Sequence, residues 1–119
     1  MMDIRLKRAY ERPAKSDGAR VLVDRLWPRG LRKEEAGLDE WLPDIGPSSE
    51  LRKWFNHDPA RWEGFVEQYR RELDSRGELV RKLAALAAKG RLTLVFAARD
   101  LEHNNAAALR SYLLELGHG

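Results

Sequence analysis

The segment Arg20-Val-Leu-Val-Asp-Arg-Leu-Trp-Pro-Arg-Gly30 changes character halfway along its length. The continuous apolar run at 21–23 predicts a strand that is covered on both faces. Residues 24–30 predict a rigid, cationic loop, because Pro28 fixes its own backbone and biases Trp27 toward an extended conformation. Loops at the carboxyl ends of strands are where α/β proteins tend to place ligands. The segment therefore predicts both a sheet and a candidate pocket.

Two further strands are predicted, one on each side of this segment in the chain. Residues 3–10 alternate apolar and basic side chains, which is typical of a half-buried strand near a sheet edge. Residues 92–97 form a second strongly apolar run with β-branched members. If the strands at 21–23 and 92–97 are parallel neighbours, the loops at 24–30 and 99–105 face one another.

Helical periodicity dominates the rest of the chain. It covers most of 48–89, with Ser48 or Ser49 as the first cap, and returns over 106–116. Two prolines and two glycines across 37–47 predict an irregular segment there. A helical connection between two strands favours a parallel, right-handed crossover. We therefore predict a single α/β domain over residues 1–119, with three layers, a short and mainly parallel sheet, and helices on both faces.

The composition excludes several classes of protein. The chain of 119 residues has no cysteine, which excludes disulfides, thiol catalysis and thiolate metal sites. It has no apolar run long enough to span a membrane, and its first residues lack the apolar core of a signal peptide. A cytoplasmic protein with no membrane partner is expected.

The distribution of charge is uneven although the net charge is only +3. Residues 1–33 hold 10 Lys and Arg against 4 Asp and Glu, and the remainder holds 12 against 15. One interpretation is that the basic third faces an anionic partner. The other is that the basic side chains are solvated or pair with the acidic helices.

The first candidate site is the loop that carries Arg25, Trp27 and Arg29. Guanidinium groups form forked hydrogen bonds to phosphate or carboxylate, and an indole can stack on a ring. The alternative is structural: both arginines pair with acidic groups of the chain, Asp24 among them, and the tryptophan belongs to the core.

The second candidate site is the loop before the last helix. Arg99 could hold an anion, His103 is the candidate catalytic group because it can transfer protons near neutral pH, and polar side chains beside it could orient a ligand. The polar candidates are Asp100, Asn104 and Asn105. The alternative is that Asp100 or Asn104 caps the helix.

No cofactor or metal is predicted. The histidines His57, His103 and His118 have no recognisable ligand spacing, and the chain has no glycine-rich phosphate loop or dinucleotide fingerprint.

Three motifs resemble the bacterial domain of unknown function 488 family, in its short single-domain branch. They are Val23-Asp-Arg-Leu-Trp-Pro-Arg-Gly30, Glu50-Leu-Arg-Lys-Trp-Phe-Asn-His-Asp-Pro59 and Leu94-Val-Phe-Ala-Ala-Arg-Asp-Leu-Glu-His-Asn-Asn105. The resemblance covers nearly the whole chain and implies kinship rather than a defined reaction. In another branch the last helix opens on Cys-His-Arg, where this chain has Asn104, Asn105 and Ala106. The resemblance therefore implies no thiol mechanism here, while the strand end feeding a helix remains the implied pocket.

Three functional hypotheses remain open at this point. The first is binding of a phosphorylated or otherwise anionic small molecule between the two loops, with or without hydrolase- or transferase-like chemistry. The second is a regulatory module that binds nucleic acid through the basic third, although no reading helix is recognisable. The third is a structural or adaptor protein whose arginines form internal salt bridges.

Overall fold

The computed structural model describes residues 2–118, over which the chain forms four strands and five α-helices. The strands are β1 (Ile4–Arg8), β2 (Ala19–Leu22), β3 (Glu40–Trp41) and β4 (Leu92–Phe96). The helices are α1 (Lys33–Ala36), α2 (Ser49–Phe55), α3 (Trp62–Asp74), α4 (Gly77–Lys89) and α5 (Asn105–His118).

The strands lie side by side in the order β1-β4-β2-β3, and every pair is parallel. The register places Arg8 opposite Phe96 and Leu22 opposite Val95, so β1, β4 and β2 end at the same edge of the sheet. We call this edge, with the segments 9–14, 23–32 and 97–104 that leave it, the carboxyl edge. The predicted parallel pairing of β2 with β4 and the edge position of β1 are both confirmed.

The main core lies between one face of the sheet and the helices α2–α5. Alternate strand residues such as Val21, Leu94 and Phe96 meet buried helix residues such as Phe65 and Leu109. Burying each of these large side chains contributes roughly 1.5–3 kcal/mol. The helical stretch between β2 and β4 thus anchors the crossover that sets the two loops beside one another.

The opposite face of the sheet is covered by α1 and by turns. Leu22 and Val95 form a smaller apolar cluster there, against which Trp27, Leu31 and Leu38 pack. Together with the main core, this cover confirms the predicted small α/β domain, with one outer layer much thinner than the other.

A buried ion pair holds α1 and the turn before β2 against this face. Arg20 Nη1 donates to Asp17 Oδ2 at 2.7 Å, and Arg20 Nη2 donates to the Ala36 carbonyl at 2.9 Å. Burial acts to raise the pKa of Asp17, but hydrogen bonds from the Ala14 backbone, Lys7 and Arg20 outweigh it and lower that pKa. Arg20 is therefore part of the scaffold.

The start of α2 follows the predicted cap, Asp58 caps the short turn Pro59–Arg61 that precedes α3, and one strand was not predicted. The Ser48 hydroxyl accepts from the Leu51 amide at 3.1 Å, and the Asp58 carboxylate accepts from the Ala60 amide at 3.0 Å. The irregular segment predicted over 37–47 contains β3. A strand of two residues is too short to show the alternation that identifies a strand in a sequence.

Candidate functional site

The loops after β2 and β4 meet at the carboxyl edge, as their sequence predicted. The Ala97 amide donates to Asp24 Oδ2 at 2.9 Å, and Asn105 Nδ2 donates to Asp24 Oδ1 at 3.0 Å and to the Val23 carbonyl at 3.1 Å. Arg8 joins them from β1, since its guanidinium donates to the carbonyls of residues 97 and 98. Three chain segments therefore form one connected surface.

Asp24 is half-buried and ties these loops together. Desolvation by burial raises its pKa, against the opposing effects of the bonds from Asn105 and Ala97 and of the Arg52 charge. Sequence reasoning placed Asp24 only as an alternative partner of the arginines. Its position directly after a buried strand was the available signal.

Arg25 does not face the loop of residues 99–105. Its Nε donates to the Pro47 carbonyl at 2.9 Å and its Nη2 to the Gly46 carbonyl at 2.8 Å, while Asp44 lies 3.9 Å away. The guanidinium fork is thus occupied by backbone oxygens of the segment that leads into α2. These contacts give Arg25 a structural role, and its ligand contact stays a prediction.

Trp27 is half-buried and packs on the thin face of the sheet. Its Nε1 donates to the Leu31 carbonyl at 2.7 Å, which closes the loop on itself. Its ring meets that of Trp41 edge to face, with centroids 5.4 Å apart and planes at 71°. The loop is therefore rigid, in agreement with its sequence.

Arg29 and Arg99 differ from Arg25, because both are exposed and, among residues 2–118, neither has a carboxylate within 4.0 Å. The Tyr10 hydroxyl donates to the Arg29 carbonyl at 2.9 Å and so fixes the backbone that carries this guanidinium. Two cationic groups of the predicted set therefore lie on the carboxyl edge without a salt bridge to any described residue.

Asp100 and His103 form a carboxylate–imidazole pair. Asp100 Oδ1 accepts from the amides of Glu102 and His103 at 2.9 Å each, and Oδ2 lies 3.0 Å from His103 Nδ1. These backbone bonds, together with the imidazole, lower the pKa of Asp100. The ring of His103 packs edge to face on Trp62, with centroids 5.3 Å apart. A carboxylate that orients an imidazole in this way can support proton transfer, and it also closes the loop as a turn.

The two asparagines are used within the fold. Asn104 is buried, its Oδ1 accepts from the Ala107 amide at 2.8 Å, and its Nδ2 donates to the Asp100 carbonyl at 2.9 Å. This is the predicted cap of α5. Asn105 holds the Asp24 loop, so both amides have partners that account for their identity without a ligand.

Two further residues contribute to this edge: Arg8, which sequence reasoning missed, and Tyr10, which the sequence offered only as a possible acid or base without a partner. The Arg8 guanidinium lies 5.1 Å from the centre of the Tyr10 ring, and Tyr10 is 46% exposed. The signal was present, because both residues stand at the end of the first predicted strand.

Other kinds of site receive no support within the described residues. Over 2–118, no group of three or more His, Asp or Glu side chains is arranged to hold a metal ion. The His118 side chain lies outside the described residues. No helix in this range is long and apolar enough to cross a bilayer.

Comparison with protein families matches residues 3–118 to the family DUF488-N3i, described as "Inactive DUF488-N3 subclade". Among curated proteins, "Uncharacterized protein YeaO" of Escherichia coli is 44% identical over 115 residues, which cover 97% of this chain and 100% of that protein. "Uncharacterized protein Rv3073c" of Mycobacterium tuberculosis and "Uncharacterized protein Mb3100c" of Mycobacterium bovis are each 39% identical over 110 residues, or 92% of either chain. No solved structure shows a significant match.

Proposed function

This chain belongs to the DUF488 family, in the N3 subclade described as inactive, and we propose that it binds a phosphate-bearing ligand at the carboxyl edge without turning it over. The observation that carries the proposal is the contrast between its arginines. Arg29 and Arg99 are exposed with no carboxylate within 4.0 Å among residues 2–118, whereas Arg25 is bonded to two backbone carbonyls.

The loops at this edge suit the recognition of a rigid anion. The Arg29 loop is tied by the Tyr10 hydroxyl on one side and by the half-buried Asp24 carboxylate on the other. The backbone that carries Arg29 therefore loses little conformational entropy when the side chain binds. Guanidinium groups match the oxygens of phosphate in a forked geometry, which favours phosphate over a spherical anion.

The polar side chains predicted around His103 favour binding without catalysis, because they are used within the fold. Asp100, Asn104 and Asn105 each have hydrogen bonds within the chain that stabilise the turn or the start of α5. His103 remains a predicted proton-transfer group, but the family description supports a binding role. Carboxylates paired to Arg25 and Arg29 would support the structural hypothesis; among residues 2–118, Arg25 has one, Asp44 at 3.9 Å, and Arg29 has none within 4.0 Å.

The test is calorimetric titration with inorganic pyrophosphate at low ionic strength. We expect Arg29→Ala and Arg99→Ala each to weaken binding by roughly 10-fold, as charge-assisted hydrogen bonds do, and the double variant to abolish it. Lys89→Ala is the matched control, because Lys89 is an exposed cation at the end of α4, next to the amino end of β4 and so at the opposite edge.

Two results would overturn this proposal. One is unchanged pyrophosphate affinity in the Arg29→Ala, Arg99→Ala double variant. The other is an equal loss of affinity in Lys89→Ala, which would mean that the affinity reflects net charge rather than a site.

A second candidate, nucleic-acid binding, is favoured by one specific observation. The exposed Tyr10 ring lies beside the Arg8 guanidinium at the edge that carries Arg29 and Arg99, and bases stack on aromatic rings next to cations. This candidate predicts that a single-stranded oligonucleotide binds more tightly than pyrophosphate, with a log–log salt slope of about −0.7 per phosphate contact. A flat salt response, or full affinity in Tyr10→Ala, would exclude it.

A further inference from the structure

A concavity lies on the thin face of the sheet, beside β3. It has a volume of about 290 Å³ and is lined by aromatic, aliphatic and charged side chains, among them Trp27, Trp41, Leu38, Asp39 and Lys33. Its location beside the edge strand and α1 separates it from Arg99 and His103. The proposed anion site does not explain why this surface is concave or why two indoles line it.

The two indole rings that line the concavity pack edge to face at 71°, and the polar atom of each is bonded within the chain. Trp27 Nε1 donates to the Leu31 carbonyl at 2.7 Å, and Trp41 Nε1 donates to the Asp24 carbonyl at 2.8 Å. With both N–H groups bonded, the rings are held in place and offer a ligand their π systems rather than a donor. The faces of aromatic rings attract cations and apolar groups and bind anions only weakly.

The charge around the concavity also favours a cation over an anion. Residues 33–41 carry one lysine against four carboxylates, a net charge of −3, in contrast to the basic segment that precedes them. Glu40 is paired with Lys82. Asp39 has no cationic side chain within 4.0 Å among residues 2–118.

Asp39 is also fixed in position. Its amide donates to the Arg20 carbonyl at 2.9 Å, and its Oδ2 accepts from the Arg20 amide at 2.8 Å. These two bonds hold Asp39, which is one of the residues that line the concavity, beside β2. A concavity lined by two indole rings suits a bulky ammonium ion, and a carboxylate in the same lining supplies the opposite charge.

We propose that this concavity binds an alkylated ammonium group, with the Trp27 and Trp41 rings as its walls and Asp39 as its counter-charge. The surface is open, so recognition depends on cation–π attraction and on one carboxylate rather than on enclosure. Loss of one ring should weaken binding by roughly 2- to 30-fold, the range spanned by exposed and desolvated cation–π contacts.

The experiment is a titration of the full chain with choline, followed by tryptophan fluorescence and by calorimetry. The matched ligand control is 3,3-dimethyl-1-butanol, the neutral isostere of choline. Trp41→Leu removes one wall, and Asp39→Asn removes the charge while keeping an oxygen that can accept from Arg20. Trp54→Leu is the control variant, since Trp54 is 40% exposed against 39% for Trp41 and does not line the concavity.

Choline binding that exceeds binding of the isostere, falls in Trp41→Leu and in Asp39→Asn, and persists in Trp54→Leu would support the proposal. Equal affinity for choline and its isostere, no binding, or an equal loss in Trp54→Leu would overturn it. A trimethyllysine peptide distinguishes the source of the group: tighter binding of the peptide indicates a protein side chain, and tighter binding of choline indicates a small molecule. Pyrophosphate affinity should stay unchanged in Asp39→Asn, so the ammonium site and the anion site can be refuted separately.

Discussion

Replacing Arg25 with alanine should destabilise the fold and leave pyrophosphate binding intact. The variant removes the hydrogen bonds to Pro47 and Gly46, at 2.9 and 2.8 Å. Hydrogen bonds to charged groups contribute roughly 1.5–3 kcal/mol each. The Gly46 carbonyl keeps a donor in Arg76 Nη1 at 2.5 Å, and the Arg25 side chain is 27% exposed, so water replaces part of the loss. A decrease of about 2 kcal/mol in the free energy of unfolding is therefore expected.

Urea unfolding followed by tryptophan fluorescence measures this difference. For a chain of this length, a loss of about 2 kcal/mol corresponds to a decrease in Tm of roughly 8 °C. Arg29→Ala is the comparison, because its exposed guanidinium contacts no carboxylate among residues 2–118, and its stability should stay within about 0.5 kcal/mol of wild type. If Arg25→Ala kept its melting temperature and lost pyrophosphate affinity, Arg25 would belong to the ligand site and the division between the arginines would be wrong.

Three further variants test the ties around this edge. Because burial raises the pKa of Asp24, the folded chain binds the carboxyl proton more tightly than the unfolded chain does. As the pH rises from about 4 through the raised pKa, wild type should therefore lose stability relative to Asp24→Asn, and urea midpoints that change in parallel from pH 4 to 7 would refute this. Asn104→Ala removes the cap bond to the Ala107 amide, 2.8 Å long, and should lower the urea-derived free energy of unfolding by about 1 kcal/mol; an unchanged midpoint would contradict the cap. Gly18→Ala places a Cβ 2.2 Å from the Arg91 carbonyl oxygen at a φ of +66°, so thermal melts should show that the free energy of unfolding falls by about 2 kcal/mol or more. A wild-type Tm would show that this turn can shift to accept the methyl group.

The elements that sequence reasoning predicted well are those whose signal is local. The apolar runs of β2 and β4 and the helical spacing of α2–α5 each extend over several residues, and their order alone predicted a parallel crossover. β3 was not predicted, because its pairing with β2 depends on residues about 19 positions away in the chain rather than on its own composition.

The candidate site shows the same division between local and distant information. The cap by Asn104 and the turn made by Asp100 follow from residues three or four positions apart. The partners of Arg25 lie 21 and 22 positions away, and they are backbone carbonyls, which carry no signature in a sequence. The composition of the loop therefore predicted cationic groups correctly, but it gave no means of separating Arg25 from Arg29.

The most direct test of the anion site is an amide NMR titration of the wild-type chain with pyrophosphate. If the anion binds at the carboxyl edge, saturable shift changes are confined to residues 9–14, 28–30 and 98–106, and the amides around Lys89 are unaffected. Changes that follow every basic surface of the chain, or saturable changes centred away from Arg29 and Arg99, would contradict it.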